Sequence, residues 1–133
     1  MPPDLDLVRG WLGKAHNDLE SARRLLGSQE PLLDTGCFHC QQTVEKVLKG
    51  YLLAHEIVSP KVHALGLLFD LCEKQDPTFS EIRDDCEWLT RFAVETRYPS
   101  GRKVRPERAR KALSAAERAM SFVLDRLPPE VRI

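Results

Sequence analysis

The sequence has no excess of either charge and no long apolar run. Its 20 Lys and Arg residues balance 20 Asp and Glu residues, so any attraction to nucleic acid or to an anionic membrane must be local. It contains neither an apolar stretch of about 18 residues nor a signal-peptide pattern at its start. A chain of 133 residues can bury one core. We therefore expect a single cytoplasmic domain over residues 1–133 that does not contact a membrane.

Cysteine is scarce, with four residues in the whole chain, Cys37, Cys40, Cys72 and Cys86. Four cysteines are too few for a disulfide scaffold at this length, which favours reduced thiols. Cys37 and Cys40 form a C-x-x-C, but they lie in a helical pattern and no second pair follows. A redox motif would need a preceding strand, and none is readable. We expect core cysteines, no metal and no cofactor.

Strand patterns are also absent, because apolar and polar residues nowhere alternate over four or more β-branched-rich positions. Apolar residues recur instead at steps of three and four, which is typical of helices with one buried stripe. The helices are predicted over residues 5–26, from the turn at 27–31 to about 55, from about 62 to 74, from about 80 to before 99, and from 106 to 127. The sequence predicts an all-α, up-and-down helical bundle of four to five helices.

The second helix carries polar residues where apolar ones would pack better. In the segment 38–53, Gln41 and Glu45 project into the apolar face. A buried amide or carboxylate without a partner costs about 1 to 3 kcal/mol. We expect Gln41 and Glu45 to form an interhelical polar network with Asp18 or Arg97; the alternative is a polar pocket between helices.

Charge is distributed unevenly along the chain. Residues 70–87 contain seven acidic and two basic residues, whereas residues 97–111 contain seven basic and one acidic residue. Both runs could be solvated, or they could pair with each other. The basic run could instead bind phosphate, since arginine forks suit phosphate and a base could stack on a tyrosine. The candidate phosphate-binding residues are Arg97, Tyr98, Arg102, Lys103, Lys46 and Lys49. The last two could equally be solvated lysines on an exposed helix flank.

Four motifs together resemble one family. They are WLGKAHNDLESARRLL from Trp11, FHCQQTVEKVLKGYL from Phe38, HAL from His63 and TRYP from Thr96. Their order and spacing resemble those of the HEPN domains, in the small prokaryotic group that stands alone as one domain. The resemblance implies a bundle that commonly forms a homodimer. It also implies a nucleotidyltransferase encoded beside it, as partner in a toxin-antitoxin-like pair.

The resemblance also suggests where chemistry would occur. Many members of this superfamily cut RNA without a metal, using an arginine followed about four to six positions later by a histidine. Arg97 matches that arginine, but no histidine follows it anywhere in the chain. We therefore expect a protein that binds nucleotide or RNA phosphate and does not act as a nuclease.

The alternative is a metal-independent ribonuclease toxin that uses histidines from elsewhere in the fold. Its candidate catalytic residues are Arg97, His39 and His63. Each histidine also has a simpler interpretation. His63 could help to fix the start of the third helix, and His39 could form a surface or dimer contact.

Overall fold

A computed structural model of the protein describes residues 3–61, 64–96, 99 and 103–132. Within these ranges the chain forms five α-helices and no strand, as predicted. The helices are α1 (Leu5–Gly27), α2 (Leu33–Ala54), α3 (Leu65–Gln75), α4 (Arg83–Leu89) and α5 (Pro106–Leu124). Short 3₁₀ helices cover Pro77–Ile82, Thr90–Ala93 and Pro129–Val131.

Helices α1 and α2 form an antiparallel pair. The Asp4 side chain caps α1 by accepting the Leu7 N–H at 3.1 Å. Gly36, near the start of α2, faces Leu26 at the end of α1, and a Cβ at this glycine would lie 2.4 Å from the leucine side chain. Glycine at this position thus lets the two helices approach closely.

Helix α2 is the centre of the bundle, because it packs against α1, α3 and α5. Its buried positions are spread over more than one face and include the polar residues Gln41, Thr43 and Glu45. The burial of Gln41 and Glu45 that the helical phase predicts is therefore confirmed. Any further function of α2 side chains depends on what surrounds them inside the bundle.

The segment predicted as one fourth helix is broken into three pieces. The Asp76 side chain accepts the Thr78 N–H at 3.0 Å and so starts a 3₁₀ helix ahead of α4. After α4, the Thr90 hydroxyl donates to the Cys86 carbonyl at 3.0 Å, and the chain continues as a 3₁₀ helix. Side-chain hydrogen bonds to the backbone thus compete with a continuous α-helix, and the prediction of one helix to residue 98 was wrong.

All four cysteines are free and buried, which confirms their prediction as core residues. Burial raises the pKa of Cys37 and of Cys86 to about 12, so these thiols stay protonated at neutral pH. Burial also raises the pKa of Cys40 and of Cys72. Among the described residues no cluster of His, Cys, Asp or Glu has the arrangement of a metal site. None of the described helices is both long and apolar enough to cross a membrane.

Candidate functional site

Asp18 of α1 joins two side chains of α2, and we call these three residues the Asp18 cluster. His39 Nδ1 lies 2.7 Å from Asp18 Oδ1, and Lys46 Nζ donates to Asp18 Oδ2 at 2.5 Å. His39 and Lys46 are two helical turns apart, so they project from the same face and bracket the carboxylate. The Asp18 side chain is 10% exposed. The cluster is therefore an interhelical, partly buried charge network.

The Asp18 carboxylate also orients the His39 ring. A carboxylate beside Nδ1 favours the tautomer that carries its proton there, which leaves Nε2 as the nitrogen able to accept a proton. The His39 side chain is 28% exposed, so solvent reaches part of it. The geometry is that of an oriented imidazole between two helices.

A second polar row lies next to the Asp18 cluster on α2. Lys49 Nζ donates to Glu45 Oε2 at 3.2 Å and lies 5.2 Å from the centroid of the Trp11 ring. Gln41 is fully buried, and its Oε1 accepts a hydrogen bond from Gln42 Nε2 at 2.7 Å. Across the ranges that the structure describes, Gln41 Nε2 has no hydrogen-bond partner. A buried donor without a partner costs free energy, so this amide destabilises the fold at its position.

In the described contacts Asp18 pairs with side chains of α2, and Arg97, the other partner expected for Gln41 and Glu45, lies outside the described residues. One carboxylate oxygen of Asp18 bonds His39 and the other bonds Lys46. Glu45 is bonded by Lys49. The sequence does indicate that Asp18 faces the core, because it lies three residues after Ala15 and four before Ala22 on the buried stripe of α1. Its partners could not be read in this way, since they depend on how α1 is rotated against α2.

The two lysines predicted to contact phosphate are not on an exposed helix flank. The Lys46 side chain is 23% exposed and the Lys49 side chain 12% exposed, and each forms an ion pair with a carboxylate. A phosphate would have to compete with those carboxylates for the ammonium groups. Their role in binding phosphate stays a prediction, and the pairing makes it less favourable.

The basic segment, residues 97–111, is described in part. Arg97, Tyr98 and Arg102, together with His63, lie outside the described residues. Lys103 is described and is exposed. Several exposed cations of this segment form no ion pair with any described carboxylate. They are Lys103, Arg105, Arg110 and Lys111. The start of α5 therefore carries positive charge that the described part of the fold does not neutralise.

The acidic segment, residues 70–87, has its own partners. Glu73 pairs with Arg83 inside the segment, and Asp85 pairs with Arg118 at 2.8 Å. Hydrogen bonds from the guanidinium to Asp85 raise the pKa of Arg118. Within the described ranges, the acidic segment forms ion pairs with arginines that all lie outside residues 97–111. The hypothesis that the two oppositely charged runs pair with each other gains no support from these contacts.

Together, the antiparallel α1–α2 pair, the polar central helix and the packing of α5 on α2 define a small all-α bundle domain. The family model of the HEPN domain matches residues 8–127 of the chain. The chain therefore belongs to the HEPN domain family, as its sequence motifs indicate.

Solved structures of other proteins have the same fold. The crystal structure of TT1696 from Thermus thermophilus is 31% identical and has a TM-score of 0.75, covering 90% of this chain and 98% of its own. The crystal structure of ST0689, an archaeal HEPN homologue, is 23% identical with a TM-score of 0.71 and covers 91% and 98%. The second likeness concerns the fold alone. No curated protein matches the chain.

Proposed function

We propose that this protein binds the phosphates of a nucleotide or of RNA along the basic segment. One observation carries the proposal: the exposed cations Lys103, Arg105, Arg110 and Lys111 pair with no described carboxylate. The protein has no net charge, so attraction of an anion must come from a local excess of positive charge such as this one. A polyanion is the ligand that such a surface favours.

The chemistry of the side chains supports phosphate as the anion. Arg105 and Arg110 offer planar donor forks that can bond two phosphate oxygens each, and Lys103 adds a point charge. Lys103 and Arg105 are two residues apart in the chain and repel each other, and a bound phosphate lowers that repulsion. Binding would therefore weaken steeply with salt, as it does when counterions are released.

Binding without cleavage is the form of this function that the sequence favours. Arg97 has no histidine after it, so the arginine and histidine of the family's nuclease motif are not found together. A second candidate function, a metal-independent ribonuclease, is favoured by one specific contact. The Asp18 carboxylate, 2.7 Å from Nδ1 of His39, orients that imidazole in the way a proton-transferring histidine requires.

The two functions are separated by one assay on purified protein. We expect total RNA and tRNA to be bound at low salt and released as salt rises, with no cleavage above that of the Arg97→Ala variant. Cleavage that disappears in both Arg97→Ala and His39→Ala, while both variants stay folded, would replace binding by the ribonuclease function. Absence of any RNA or nucleotide binding at low salt would contradict the proposal itself.

We further propose that the protein acts as a homodimer and as the partner of a nucleotidyltransferase in a toxin-antitoxin-like pair. The support is the family membership, since small single-domain relatives are commonly arranged in this way. The neighbouring gene should encode a small nucleotidyltransferase with a G-S-x-A-R-G-like phosphate-binding motif. Co-expression should then yield a complex that survives size-exclusion chromatography, and two separate peaks would contradict the partnership.

A further inference from the structure

Trp88 on α4 is covered by two cations, and we call these residues the Trp88 cluster. Lys111 Nζ lies 4.4 Å from the centroid of the indole ring, and Arg91 Cζ lies 5.3 Å from it. The ring is half-buried, while Arg91 and Lys111 are both exposed. The cluster brings together the end of α4, the following 3₁₀ helix and the first half of α5.

The indole ring of Trp88 also contacts a residue of the hydrophobic core. Trp88 meets the buried ring of Phe92 edge to face, with ring centroids 5.1 Å apart. Arg91 Nε donates to the Trp88 carbonyl at 2.9 Å, which ties the guanidinium to the same turn. The indole ring is therefore supported by a contact with the core as well as by the two cations.

Both cations of the cluster are available to an anion. Within the described ranges neither Arg91 nor Lys111 forms an ion pair with a carboxylate. Glu87, the acidic neighbour of Trp88 in sequence, lies 3.8 Å from Arg83 instead. Lys111 follows Arg110 on α5, so the cluster extends the basic segment toward α4.

We propose that the Trp88 cluster is a stacking site for a base of single-stranded nucleic acid, with Arg91 and Lys111 on the flanking phosphates. The inference rests on the proposed function and adds to it a site and a ligand form. An aromatic plane beside cations recognises a base together with its backbone, and it tolerates any base because each has a π face. A duplex keeps its bases stacked inside and cannot offer one to Trp88.

The energetics favour a base over the lysine that covers the ring. An exposed cation–π contact is worth about two- to five-fold in an equilibrium constant. A base stacked on an aromatic side chain is worth about five- to 150-fold. The flexible Lys111 side chain can thus leave the ring to a base and move to a phosphate, so that both interactions are gained on binding.

The two tryptophans of the chain, Trp11 and Trp88, allow a direct test by intrinsic fluorescence. Trp11→Phe leaves Trp88 as the only indole, and Trp88→Phe leaves Trp11. Each variant is titrated at low salt with an oligouridylate of about sixteen nucleotides, a length in the range of single-strand binding modules. We expect strong, saturable quenching in Trp11→Phe and little in Trp88→Phe. Affinity should fall about five-fold or more in Trp88→Ala, which removes the stacking face that phenylalanine keeps.

Lysine variants test the cations without touching the aromatic core. Lys111→Ala should keep the quenching of Trp88 and should lower the slope of log affinity against log salt by about 0.7. Lys14→Ala, which removes an exposed lysine of α1, is the matched control and should leave the slope unchanged. An equal response to oligothymidylate also supports the site and shows that it does not read the sugar.

The outcomes separate this inference from the proposed function. Binding of oligouridylate by Trp88→Ala with the affinity of the wild-type chain and no selective quenching of Trp88 would overturn the stacking site and leave phosphate binding intact. Quenching of Trp88 by a duplex of equal length as strong as by the single strand would overturn it as well. No binding by the wild-type chain would overturn both.

Discussion

Two sets of cations in this protein have opposite surroundings. On α2, Lys46 and Lys49 are mostly buried, and each is held by a carboxylate. At the start of α5, Lys103 and Arg110 are exposed and pair with no carboxylate of the described ranges. Sequence motifs indicated phosphate binding for lysines of both groups. The comparison shows that a lysine can stabilise the packed helices at one position and can remain available to a ligand at another.

Burial explains why the difference matters. Removing a charge from water is costly, and a carboxylate at hydrogen-bond distance offsets that cost only while it is present. Lys46 and Lys49 are therefore tied to the stability of the fold. An exposed cation has no such cost, and changing it alters mainly what the surface attracts. Stability and ligand binding should thus respond to different substitutions.

The largest effect on stability is expected at Asp18. Asp18→Ala leaves the Lys46 ammonium partly buried without its carboxylate and removes the partner of His39. We expect the free energy of unfolding to fall by about 2 to 3 kcal/mol, somewhat less than for a fully buried pair. Urea denaturation measured at neutral pH gives this value.

A matched control is available on the same helix. Asp6 pairs with Arg9 at 2.8 Å, but its side chain is 94% exposed. Asp6→Ala should change the free energy of unfolding by about 0.5 kcal/mol or less. Equal losses in Asp18→Ala and Asp6→Ala would mean that the Asp18 cluster does not hold α1 and α2 together.

A smaller effect of opposite sign is expected at Gln41. Gln41→Met keeps the shape of the side chain and removes a buried donor that has no described partner. We expect a gain of about 1 kcal/mol in the free energy of unfolding, measured by urea denaturation. Gln42, which loses its acceptor, is half-buried and can bond water instead.

Gln42→Ala is the counterpart of that change. It leaves Gln41 Oε1 buried without the donor that lies 2.7 Å away, so a loss of about 1 kcal/mol is expected. Should Gln41→Met be destabilising instead, the Gln41 amide would have a role in the native protein that outweighs its unpaired donor.

Helical phase was enough to predict part of this arrangement from the sequence. The spacing of apolar residues places Gln41 and Glu45 inside the bundle and fixes α1 and α5 to within a few residues. The break around α4 was not predictable in this way, because it depends on hydrogen bonds of Asp76 and Thr90 to the backbone. Such local competition leaves no periodic signal.

The pairing of charges was the other part that the sequence could not supply. Asp18 lies near His39 and Lys46 because of how two helices pack, and several rotations of α1 would satisfy the same apolar stripe. Trp88 and Lys111 are similarly distant in sequence and meet only where α4 packs on α5. Asp18, His39 and Lys46 were thus candidates from the sequence, whereas their pairing and the Trp88 cluster could not be predicted from it.

The smallest effect on stability, together with a large effect on binding, is expected at the start of α5. The double variant Lys103→Glu and Arg110→Glu reverses two exposed charges that make no described ion pair. We expect the free energy of unfolding to change by no more than about 0.5 kcal/mol. Binding of RNA at low salt should nevertheless fall by at least about ten-fold, because each reversed charge both removes an attraction and adds a repulsion. Lys103→Glu alone and Lys14→Glu on α1 change the net charge by the same amount, so Lys14→Glu controls for net charge, and filter binding measures these variants beside the double variant and the wild type. If Lys14→Glu weakened binding as much as Lys103→Glu, net charge would account for the attraction and the basic segment would lose its special role.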